Sequence, residues 1–95
     1  MRVPLEQLKF LKIKIQNFSP EAKVYLFGSR LNDNKKGGDI DILILSNTLL
    51  TFEQKCAIKN AFDQEYGEQK VDLVNFTFAD DATFKKLVLL DAREI

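Results

Sequence analysis

Helical and strand periodicities alternate along this sequence and predict an α+β fold: a small mixed β-sheet of three to four strands with helices packed mainly on one face. Three observations carry that prediction. Apolar residues recur at helical spacing near the N-terminus and again in the second half of the chain. Three short runs rich in β-formers stand between and beside them. The length of 95 residues leaves room for one core, so a single domain over residues 1–95 is expected.

The elements follow in order. From Pro4 to Phe18, Leu5, Leu8, Leu11, Ile15 and Phe18 recur at steps of three and four, the stripe of an amphipathic helix, and Pro4 suits its first turn. Phe10 and Ile13 fall beside that stripe, where they either widen the core face or leave a patch for a partner. Ser19-Pro20 marks a turn, and Lys23–Phe27 reads as a strand. The run from Asp39 to Leu45 is apolar on both faces beyond its aspartates, as a central, covered strand requires. Thr51 and Gln54 form a capping-box pattern that opens a helix running to about Tyr66, with Gly67 placed to close it. Phe52, Cys56, Ile58 or Lys59, Phe62 and Tyr66 fall near one face of that helix. Lys70–Phe76 is the third strand, with Asp72, Val74 and Phe76 on one side of it. Asp80 and Asp81 suit the N-terminus of a last helix, Ala82 to about Ala92. Its apolar face is expected to hold Phe84, Leu87, Val88 and Leu90 or Asp91. Leu87-Val88-Leu89-Leu90 wraps further round than a lone surface helix needs, so this end is expected to meet a partner or a second copy of the chain.

Composition narrows the chemistry. Fourteen basic and fourteen acidic residues give a net charge of zero, which argues against an electrostatic grip on nucleic acid. The absence of histidine removes imidazole ligands, bases and triads. The single Cys56 excludes an internal disulfide and a multi-cysteine zinc site, in keeping with a cytoplasmic protein. No apolar run approaches the roughly 20 residues of a membrane-spanning helix, so no membrane role is expected.

The chemistry concentrates between Tyr25 and Leu45. Gly28-Ser29 follows the first strand directly. Glycine there allows a sharp turn or a close approach to a ligand, Ser29 offers a hydroxyl and an amide, and Arg30 a planar cation suited to phosphate oxygens. Asp39 and Asp41 head the next strand and point the same way, because strand side chains alternate. Two such carboxylates repel one another unless a cation sits between them, and hard oxygen ligands suit Mg²⁺ or Mn²⁺. Alone, Gly28-Ser29 reads first as a plain strand-ending turn, and Asp39 with Asp41 reads equally well as a pair of solvated acids. Asp72 is harder to dismiss, because a carboxylate within so apolar a strand is costly unless it is paired or binds metal.

In combination these segments are more specific. Leu26-Phe27-Gly28-Ser29-Arg30, an intervening loop, Gly38-Asp39-Ile40-Asp41-Ile42 and then Asp72 on a later strand resemble the signature of the polymerase-β-like nucleotidyltransferases. The nearest likeness is to the minimal nucleotidyltransferases that act as antitoxins beside HEPN-domain toxins. The resemblance implies the mixed sheet of that fold. It also implies Gly28, Ser29 and Arg30 as nucleotide-binding residues, and Asp39, Asp41 and Asp72 as both catalytic and metal-binding residues. It implies two Mg²⁺ ions and ATP or another NTP as substrate. It implies transfer of AMP to a hydroxyl of a helical HEPN-type toxin or a substrate-binding protein, with a homo-oligomer a further expectation. The chain departs from the pattern after Arg30, where Leu31-Asn32-Asp33 stands in place of the usual Ala-Arg-Gly. That departure motivates a second expectation, a non-catalytic module of the same fold that neutralises or pairs with a helical partner by contact.

Overall fold

The computed structural model describes residues 3–28 and 40–95. Among them lie three helices and four strands: α1 (Leu5–Phe18), β1 (Lys23–Phe27), β2 (Ile40–Ser46), α2 (Phe52–Tyr66), β3 (Val71–Thr77), α3 (Thr83–Asp91) and β4 (Arg93–Glu94). The strands form one mixed sheet in the order β3-β2-β1-β4. β1 runs antiparallel to β2 and β4, and β2 runs parallel to β3, with α2 as the crossover that a parallel pair requires.

The sheet's two faces carry different loads. Val24 and Leu26 of β1, Ile40, Ile42 and Ile44 of β2, and Val71 and Leu73 of β3 form a buried face against Leu8, Leu11 and Ile15 of α1 and Ile58 and Phe62 of α2. Phe10 does widen the core face: its ring meets Phe62 at 6.2 Å and Tyr66 at 5.3 Å, both edge-on. Ile13 stays exposed. On the opposite face, α3 lays the Phe84 ring between those of Phe27 and Phe76. Leu43 and Leu45, which point to that side of the central strand, are buried as well. The uninterrupted apolar run in β2 thus reflects cover on both faces.

The helix signals read from sequence hold at both ends of α2. The Thr51 hydroxyl accepts the Gln54 N–H at 3.0 Å, and the Gln54 side chain accepts the Thr51 N–H at 2.9 Å. Gly67 closes the helix with φ of +87°. The buried face differs from expectation at one position: Phe52 is 78% exposed. Leu50 takes the core position instead, because its N–H donates to Asn75 Oδ1 at 2.7 Å and pins the segment before the cap. The first helical residue is then turned outward.

α3 departs further. Phe84, Leu87 and Leu90 all lie more than half exposed, and the buried residue is Lys85. Its ammonium donates to the carbonyls of Thr77, Phe78 and Asp80 at 3.1, 2.7 and 2.6 Å, which uses all three of its donors. The turn after β3 leaves carbonyls without ladder partners, and a lysine in the first turn of the next helix supplies donors for them. Lys85→Met keeps most of the stem and loses the donors. It is expected to cost about 1 kcal/mol and to lower the melting temperature, followed by circular dichroism, by about 4–8 °C.

β4 has no periodicity to announce it, being two residues long. It forms because the Ile95 N–H donates to the Val24 carbonyl at 2.8 Å and Lys12 Nζ donates to the Ile95 carbonyl at 2.7 Å. Among the described residues no helix is long and apolar enough to cross a membrane.

Candidate active site

The strand directions bring three separate segments to one end of the sheet. The end of β1 meets the start of β2 because they are antiparallel, and the start of β3 joins them because it is parallel to β2. Asp41 lies directly across from Phe27 on one side and from Asp72 on the other. In-register neighbours share a face, so both carboxylates stand side by side on the face away from α1 and α2. Both residues are half-buried.

Gly28 completes this arrangement. Its φ is +81°, a conformation that side chains strain to adopt. A Cβ built there would collide with the Asp41 carboxylate and lie 3.1 Å from its Cγ and 3.3 Å from its Cβ. The turn backbone therefore runs against the carboxylate of the neighbouring strand, and only glycine permits the approach.

Of the six residues singled out in the sequence, Gly28, Asp41 and Asp72 come together here. Ser29, Arg30 and Asp39 lie outside the described residues. Among the described residues no group of three His, Cys, Asp or Glu side chains gathers as a metal site. The pair formed by Asp41 and Asp72 nevertheless has the chemistry such an ion demands: hard, anionic oxygens, adjacent in register, beside a turn with no side chain of its own.

Sequence reading missed the aromatic border of this end. Phe27 is the cross-strand partner of Asp41, and its ring meets Phe84 at 6.4 Å and 81°. The signal was present in part, since Phe27 immediately precedes Gly28, but the approach of Phe84 depends on the course of α3. Tyr25 shares the Phe27 side of β1, and burial, followed by the charge of its cross-strand partner Glu94, raises its phenol above the ordinary value.

A concavity of about 360 Å³ lies at the opposite end of the sheet, lined by Phe18, Ser19, Glu21, Asn47, Leu49 and Thr51 among others. Here Glu21 ties two turns together, accepting the Asn47 N–H at 2.8 Å and the Ser19 hydroxyl at 2.7 Å. These bonds, that from Asn47 first, hold its carboxyl below the usual range. The hollow is remote from the acid pair and is explained by that tie.

A glycine turn thus stands against one of two in-register carboxylates, at one end of a mixed sheet backed by helices. Comparison with known proteins identifies the family. Residues 9–95 match the family described as "Polymerase beta, Nucleotidyltransferase", and the chain belongs to that family. It is also similar to the probable protein adenylyltransferase MntA of Haemophilus influenzae, with 33% identity over 72 residues, 75% of this chain and 63% of that protein. The match thus spans less than two thirds of the relative's length.

Proposed function

We propose that the chain is a Mg²⁺-dependent nucleotidyltransferase that moves a nucleoside monophosphate, AMP from ATP, to a hydroxyl on a partner protein. The observation that carries this reading is the contact between the Gly28 turn and the Asp41 carboxylate, with Asp72 in register beside it. In this reading Gly28 and Ser29 cradle the β- and γ-phosphates through backbone amides and a hydroxyl, with Arg30 assisting. Asp39, Asp41 and Asp72 would hold the ions. Bound there, two Mg²⁺ ions supply Lewis-acid stabilisation of the attacking and leaving oxygens. The acceptor hydroxyl gives its proton towards Asp72 as its oxygen attacks the α-phosphorus. The bond to the β-phosphate oxygen breaks, and pyrophosphate leaves.

The acceptor in this proposal is a helical HEPN-type toxin, which the transfer silences in the cytoplasm. The similarity to a probable protein adenylyltransferase supports a protein acceptor. The exposed Leu87 and Leu90 of α3 offer a surface for such a partner, or for a second copy of the chain. The same surface, together with Leu31-Asn32-Asp33 after Arg30, favours the second reading, a binding module that neutralises by contact.

Incubation with Mg²⁺ and ATP labelled on the α-phosphate, with and without a co-expressed helical partner, separates the two. Label on the partner is the expected outcome. A stable complex that never takes label from any NTP establishes the contact reading instead.

A further inference from the structure

We infer that Phe84 is the platform on which the nucleobase of the bound nucleotide stacks, an inference that rests on the nucleotidyltransferase reading above. Phe84 belongs to α3, yet its ring reaches across the face that carries the acid pair. It sits 6.4 Å from the Phe27 ring and 6.2 Å from that of Phe76. Phe27 is in turn the cross-strand partner of Asp41. One strand spacing, roughly 5 Å, and one ring contact therefore separate Asp41 from Phe84, a path comparable to the length of a nucleoside.

The ring is fixed but not covered. Contacts to Phe27 at 81° and to Phe76 at 40° hold it from two directions, while 51% of the residue's surface remains open. Laying a flat ligand on the open half of the ring removes apolar surface from water, which is favourable. A ring held by two others loses little freedom when a third flat group is laid on it. Phosphates gripped at this end of the sheet leave the base to be bound elsewhere, and stacking on an aromatic face serves any base and favours the larger purines. Lys85, the next residue, fixes the start of α3 through three carbonyls, so the platform has a rigid footing.

Calorimetric titration with ATP, tripolyphosphate and ribose 5-triphosphate in the presence of Mg²⁺ tests this. Phe84→Leu keeps an apolar contact for α3 and removes the π-face. It is expected to weaken ATP binding about tenfold or more and to leave tripolyphosphate binding unchanged. Phe84→Tyr is expected to bind ATP as the native chain does. Ribose 5-triphosphate, which lacks the base, should bind the native chain as weakly as ATP binds Phe84→Leu. That comparison needs no variant and stands even if Phe84→Leu fails to fold. The inference is overturned if Phe84→Leu binds ATP normally, if it loses ATP and tripolyphosphate alike, or if the native chain binds the base-free triphosphate as tightly as ATP. A native chain that binds none of the three overturns the nucleotidyltransferase reading, and the inference with it.

Discussion

Asp41→Asn and Asp72→Asn are each expected to reduce nucleotidyl transfer by roughly a thousandfold or more while the chain stays folded. Metal-assisted stabilisation of the attacking and leaving oxygens supplies several kcal/mol, and each 1.36 kcal/mol is a factor of ten in rate. Asparagine preserves shape and still accepts a hydrogen bond, but it removes the charge that would hold a divalent ion. The fold should tolerate the change. The two acids face each other across the β2–β3 register, and like charges so placed oppose pairing by about 0.2–1 kcal/mol. Removing one of them relieves that repulsion. The check is transfer of α-phosphate label beside a thermal melt of the same preparation. Undiminished transfer by both variants would remove the two acids from the mechanism, whereas inactivity with a collapsed melt would only report unfolding.

Gly28→Ala is expected to damage stability and activity together. At φ of +81° an alanine meets a backbone penalty of about 1–2 kcal/mol. Its methyl group would also collide with the Asp41 carboxylate. A combined cost of about 2 kcal/mol or more corresponds to a melting temperature lower by about 10 °C in a domain this small. Asp41 is displaced in the process, so transfer falls even in the fraction that folds. A double-mutant cycle isolates the contact: adding Asp41→Gly to Gly28→Ala should recover the steric part of the loss and leave the backbone part. Strictly additive melting shifts would show that turn and carboxylate do not touch.

Most of the scaffold was legible because its determinants are local. The capping box at Thr51, the closing Gly67 and the five residues of β1 each need only their neighbours in sequence. That Asp41 and Asp72 belong to one site was legible through the family resemblance, while alternation alone related Asp41 to Asp39. The common register of Asp41 and Asp72 was not legible, because it arises from the parallel ladder between two strands separated by a helix. The failures have the same origin. Phe52 is excluded from the core by a hydrogen bond from Leu50 to Asn75, a residue of β3 distant in sequence. Lys85 is buried by carbonyls that only the finished turn presents. β4 exists because β1 has an edge to offer, which no property of Arg93 or Glu94 reveals. At the site, the acids and the glycine were readable as chemistry, while the ring of Phe84 enters through the path of α3 alone.

The strand order also sets how the acid pair comes apart. Asp41 belongs to β2, which is hydrogen-bonded on both sides, whereas among the described residues β3, with Asp72, is bonded on one side only. Amides of a doubly paired central strand exchange with solvent through global unfolding, and those of a marginal strand also through local fraying. The two carboxylates therefore share a register but stand on strands held to different degrees. The β3 amides are expected to exchange with solvent before those of β2, and a divalent ion held by both acids would narrow the difference.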